Sequence, residues 1–121
     1  MNESLCRHIV TERCGGQCER CRAPGVTMHH RWKRGQGGPW TPSNVIALCG
    51  SGTTGCHGWV EHNPAAAHES GLWLFNGEHD TQRQRVWLRS PWTLLDRWVW
   101  LDDIGGLAET APVRAESPTS P

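Results

Sequence analysis

Four cysteines set the strongest limit on how this chain can fold. Cys18 and Cys21 form a C-x2-C knuckle, and Cys49 and Cys56, with six residues between them, offer a second pair. A C-x2-C turn presents two thiolates at a spacing that tetrahedral zinc accepts, and a second pair completes the coordination. The intervening GSGTTG stretch (residues 50–55) has the glycines needed for the longer loop to fold back on itself. The chain needs such a staple. Its 121 residues are 36% apolar with a mean hydropathy of −0.58, enough for one core that is poor in aliphatic side chains. Structural zinc is therefore expected to contribute folding energy, and its loss to unfold the N-terminal half. Cys6 and Cys14 read as buried thiols, with Cys14 a rival ligand through the spacing C-x3-C-x2-C.

No apolar run is long enough to span a membrane, so no membrane partner is expected. The opening MNESLCRHIV lacks the basic-then-apolar layout of a secretion signal. A cytoplasmic protein is expected, in which reduced cysteines favour metal ligation over disulfides.

The pattern predicts a helix over residues 3–14 with Leu5, Ile9 and Val10 on one face and Gly15-Gly16 ending it. Val26-Thr27-Met28 reads as a strand leading into His29-His30, residues 31–43 as a Gly/Pro-rich loop, and Val45–Leu48 as a buried strand. A helix follows Cys56, breaks at Asn63, and resumes with Pro64 at its first position and Asn63 as cap. Strands are expected at Leu72–Phe75, Val86–Arg89 and Trp98–Leu101. Five tryptophans within 73–100 are expected to form the core there. The Pro/Ser/Thr/Glu-rich tail, 111–121, is expected to be disordered.

The chemistry concentrates in His29, His30, Asn44, His57 and Glu61. Adjacent strand residues point to opposite sides, so both histidines reach one site only if a bulge or strand end turns them. His57 and Glu61 are four apart and share a helix face, so they can converge on one ion. An imidazole set with a carboxylate suits a divalent cation that binds phosphate oxygen, and His30 then remains free to accept a proton near pH 7. His62 is an alternative ligand to Glu61. A second structural zinc site built from the histidines is the plainer alternative.

The run from CERC through HHRWKRGQGG to NVIALCGSGTTGCHGWVEHNP resembles the HNH, or ββα-metal, endonucleases, in particular the small bacteriophage type. The likeness covers residues 10–75. It implies an α+β fold: a treble-clef-like ββα-metal nuclease core with structural zinc over residues 1–71, then a short Trp-rich β extension over 72–110. It implies that His30 is the general base, that His29 and His57 bind the catalytic ion with Glu61 as a third ligand, and that Asn44 holds the loop and orients the base. The ion would be Mg2+, Mn2+, Ni2+ or Zn2+. The activity implied is hydrolysis of double-stranded DNA in a host-cell cytoplasm, by nicking or double-strand cutting, in phage DNA processing or packaging, with terminase subunits as possible partners. The GSGTTG insert departs from the common pattern by lengthening the gap between Asn44 and His57.

Net charge is zero, but residues 1–35 carry Arg7, Arg13, Arg20, Arg22, Arg31, Lys33 and Arg34 while residues 36–82 have no Lys or Arg. Arg31, Lys33 and Arg34, beside the histidine pair, are expected to grip phosphates. Trp32 and Trp40 are available for stacking, with packing the simpler role. Two other readings fit the same residues. One is a zinc ribbon that binds nucleic acid without cutting it, and the other is an accessory protein that docks terminase through its Trp-rich part.

Overall fold

The computed structural model describes residues 1–92 and 94–112; most of the tail expected to be disordered lies outside them. Among the described residues the fold is α+β, with two small antiparallel sheets and three α-helices. Helix α1 (Glu3–Cys14) starts where the Asn2 side chain accepts the Leu5 amide and stops at Gly15, whose φ of 65° is the left-handed cap glycine supplies cheaply. Its inward face is Cys6, Val10, Arg13 and Cys14. Leu5, expected on that face, is 48% exposed.

Strands β1 (Val26–His30) and β2 (Val45–Cys49) form a hairpin in regular register from Val26↔Cys49 to His30↔Val45. That regularity divides the hairpin into two faces. Thr27, His29, Ile46 and Leu48 look toward helix α2 (Gly55–His62) and the larger core. Met28, His30, Val45 and Ala47 look toward α1, Trp40 and a smaller core of Cys6, Val10 and Cys14. Helix α3 (Pro64–Glu69) follows with Pro64 in its first turn. Asn63 separates the two helices as expected but does not cap α3 with its side chain, which donates instead to the Trp59 carbonyl.

The second sheet joins β3 (Val86–Arg89), β4 (Asp96–Leu101) and β5 (Leu107–Ala108), all antiparallel. The strand expected at Leu72–Phe75 does not form. Leu72 and Leu74 are buried there, but the Leu72 amide bonds to Ala67 and that of Leu74 to Arg31. The tryptophans do not make this core either. Trp87 and Trp92 are exposed and Trp73, Trp98 and Trp100 only partly covered. Leu72, Val86, Leu88, Val99 and Leu101 fill it, continuous with Ile46, Leu48, Cys56 and Val60 from the first sheet and α2. No helix among the described residues is long and apolar enough to cross a membrane.

Candidate functional site

The cysteine pairs meet. Cys18, Cys21, Cys49 and Cys56 place their sulfurs within 4.8 Å of one another, with Cys21 Sγ and Cys49 Sγ 3.6 Å apart. Tetrahedral zinc with bonds of about 2.3 Å needs sulfurs roughly 3.8 Å apart, so the cage fits a structural metal such as zinc. The glycine loop closes it. Gly50 and Gly55 have φ of 83° and 64°, and a Cβ on Gly55 would come within 2.5 Å of the Cys49 carbonyl oxygen. Burial raises the Cys18 pKa and pushes Cys56 up to about 12, so these two thiols need a neighbouring cation to ionise at neutral pH. Arg20, which the sequence reading passed over, donates to Cys56 Sγ at 3.2 Å and lies over the Trp59 ring. Cys6 and Cys14 stay in the core under α1.

His57 directly follows Cys56 on α2, and with His29 and Glu61 it forms the second cluster able to hold a metal. The two imidazoles are edge to face at 5.4 Å. Their tautomers follow from their partners. His29 Nε2 lies 2.6 Å from the Leu72 carbonyl oxygen, an acceptor only, so the proton sits on Nε2 and Nδ1 keeps a lone pair. Thr27 donates its hydroxyl to the Gly50 carbonyl and lies 2.6 Å from His57 Nδ1. That nitrogen therefore donates to Thr27, and Nε2 keeps its lone pair. Both free lone pairs face Glu61 Oε2, His29 Nδ1 at 3.3 Å and His57 Nε2 at 3.7 Å. Three electron-rich atoms converge with no proton between them, and His29 Nδ1 is buried without a hydrogen-bond partner. Such an arrangement suits a cation. Lys33 Nζ partly answers it, 2.7 Å from Glu61 Oε2 and 4.8 Å from the Trp73 ring centre. Burial and the neighbouring His29 lower the His57 pKa.

His30 does not join this cluster. The register stays regular through His30↔Val45, with no bulge to turn the ring, so His30 faces α1 and meets Trp40 edge-on at 4.4 Å. It is 6% exposed, and its Nε2 is buried without a partner. Burial chiefly, with His29, Arg34, Lys33 and Arg7 nearby, lowers its pKa to about 4, so the ring is neutral at pH 7.

Asn44 is fully buried and ties the ends of the 31–43 loop together. Its Oδ1 accepts the Trp32 amide at 2.7 Å, and its Nδ2 donates to the Trp32 and Pro39 carbonyls, both at 3.1 Å. Of the three cations expected to grip phosphate, Arg34 is exposed and Lys33 partly exposed. Arg31 is not available. It is 0% exposed, and its guanidinium donates to the carbonyls of Gly71, Ser43, Thr81, Gln84 and Arg85, which makes it a structural cation inside the fold. Of the other histidines, His68 pairs with Glu78, His79 stacks on Trp32, and His8 and His62 are exposed.

Comparison with models of known protein families, with curated proteins and with solved structures finds no match to this chain.

Proposed function

We propose that this protein is a divalent-metal-dependent endonuclease of the HNH, or ββα-metal, type that hydrolyses DNA phosphodiester bonds. The observation that carries the reading is the convergence of His29 Nδ1, His57 Nε2 and Glu61 Oε2, each imidazole held in the ligating tautomer by a bond from its other nitrogen. One strand, β1, and one helix, α2, supply all three ligands, and the tetracysteine cage fixes the start of that helix. A divalent ion bound there supplies Lewis-acid stabilisation of charge on a phosphodiester.

The chain's own groups do the rest. His30, neutral at pH 7, takes the proton of the water that attacks phosphorus. The P–O3′ bond breaks and the departing O3′ takes a proton from solvent water, leaving a 5′-phosphate and a 3′-hydroxyl. Asn44 fixes the loop that leaves His30, and Lys33 and Arg34 bind flanking phosphates. Because His29 and His30 occupy opposite faces of β1, the phosphodiester crosses the end of that strand. Nothing here reads bases, so cleavage with little sequence preference is expected.

The test is nicking of supercoiled plasmid by the full chain at matched zinc content, with Mg2+, Mn2+, Ni2+ or Zn2+ added. Wild type is expected to nick, and His29→Ala, His57→Ala and His30→Ala to lose nicking. A wild type that binds DNA and keeps one zinc but never nicks would replace this reading with a non-catalytic zinc-ribbon binder. A second role, docking of a packaging partner such as a terminase subunit, is favoured by the exposure of Trp92 (73%) and Ile104 (86%) around one groove. Failure of both terminase subunits to co-purify with the full chain would count against it.

A further inference from the structure

His30 faces α1, and the surface above it is built from residues far apart in sequence. Trp40 meets His30 edge-on at 4.4 Å. Over the same indole lie two guanidinium groups, that of Arg7 with Cζ 4.8 Å from a ring centre and that of Arg34 at 5.6 Å. Arg7 comes from the middle of α1 and Arg34 from a single 3-10 turn, Arg34–Gln36, in the loop. Stacking on an aromatic face orients a guanidinium while leaving its edge donors free for an oxyanion. Arg34 has no carboxylate partner among the described residues. Arg7 pairs with Glu3 at 2.8 Å, but both side chains are nearly half exposed, and such a helix-surface pair is weak and easily exchanged.

We propose that Arg7 and Arg34, stacked on Trp40, form a phosphate clamp on the α1 face of the strand end, holding the DNA backbone beside His30 while the ion site takes it on the opposite face. The inference rests on the endonuclease reading and extends it by assigning the N-terminal helix to substrate binding. It makes the DNA footprint two-sided. Lys33 serves the ion face, and Arg7 and Arg34 serve the His30 face, so a phosphodiester crossing the strand end meets cations on both sides. The ligand class is the phosphodiester backbone, because two arginines over one indole offer charge and planar donors but no pattern that distinguishes bases.

The test is binding of the zinc-loaded full chain to a labelled 20-base-pair duplex of mixed sequence, measured over a range of salt concentrations without added divalent ion. Each lost phosphate contact lowers the slope of log K against log salt by about 0.9. Arg7→Gln and Arg34→Gln are each expected to lower it by that amount, and the double variant by about twice as much. Both should keep their zinc and melt within ~2 °C of wild type, as changes at exposed positions do. Glu3→Gln frees Arg7 and should tighten binding. If Arg34→Gln lowers the slope while Arg7→Gln and Glu3→Gln leave binding unchanged, the clamp is refuted and the nuclease reading stands. A wild type that fails to bind the duplex at low salt overturns both.

Discussion

Arg31 offers the sharpest test of how the two halves of the chain are joined. Its guanidinium is fully enclosed and serves five carbonyls: Gly71 from Nε at 2.7 Å, Ser43 and Thr81 from Nη1 at 2.8 and 3.2 Å, and Gln84 and Arg85 from Nη2. Four of the five lie at 71–85, so this side chain links the end of β1 to the segment leading into the second sheet. Burial lowers its pKa to about 9, with Arg13 adding to the effect, and it is still charged at neutral pH. The perturbation is Arg31→Lys. An ammonium has three donors on a point charge and cannot reach carbonyls spread around a planar fork. At least two carbonyls are left without a donor. Hydrogen bonds to charged groups contribute about 1.5–3 kcal/mol each, so the expected loss for two is roughly 3–6 kcal/mol. In a domain this size that lowers the melting temperature by roughly 10–20 °C.

The assay is far-UV circular dichroism melting at pH 7.4 with zinc in slight excess, paired with DNA binding at 20 °C. A surface phosphate contact would respond the other way, with melting unchanged and only DNA affinity reduced. An R31K variant that melts within ~3 °C of wild type would refute the argument that this cation is structural.

Two further predictions follow from the ion site and the face behind it. Lys33→Met removes the ammonium that competes for Glu61 Oε2, so Mn2+ or Ni2+ should bind more tightly, roughly threefold to fivefold for a partly exposed pair of about 1 kcal/mol; calorimetry showing equal or weaker binding would exclude the competition. Near pH 6.5 and below, the unfolded chain protonates His30 while the folded one resists until about pH 4. Stability should therefore hold above pH 6.5 and fall between pH 6.5 and 4, by up to roughly 3 kcal/mol from this group. Urea titrations at pH 7.5 and 4.5 should show a shallower decline for His30→Asn, and parallel declines would contradict the assignment.

What the sequence made legible was local. The spacing in C-x2-C, the four-residue separation of His57 and Glu61, Gly15 after α1 and Pro64 after Asn63 each act within a turn or two, and the elements form where those signals stand. What stayed hidden depends on distant partners. Arg31 has the same local setting as Lys33 and Arg34, and only carbonyls from residues 43 and 71–85 separate it from them. Arg13 and Glu19 form a bidentate buried pair that also binds the Pro42 and Val45 carbonyls and the Ala47 amide, linking α1, the knuckle and β2. Nothing in their spacing announces it. The tryptophans misled for a different reason. In β3 and β4 the aliphatic residues Val86, Leu88, Val99 and Leu101 alternate with Trp87, Trp98 and Trp100, so the strand period permits either set to face inward. The aliphatics take the core, where no indole N–H has to find a partner.

The two clusters able to hold a metal are not equivalent, and their order of dependence follows from where they sit. Cys49 ends β2, Cys56 lies in the first turn of α2, and His57 is the next residue. The cage therefore fixes the start of α2 against the hairpin, and through it sets where His57 Nε2 and Glu61 Oε2 meet His29. The reverse dependence is weak. His29, His57 and Glu61 contribute no sulfur to the cage, and each imidazole is held by its own bond to Leu72 or Thr27. Loss of the cage should thus abolish ion binding, whereas loss of the ion site should leave the cage loaded. Cys21→Ser is expected to lose zinc, secondary structure and the second ion together, while His57→Ala keeps one zinc per chain and a near-normal spectrum but no second ion. Metal counting by mass spectrometry under native conditions separates the cases. A Cys21→Ser protein that still bound an ion through His29 and His57 would show that the hairpin and α2 hold their geometry without zinc.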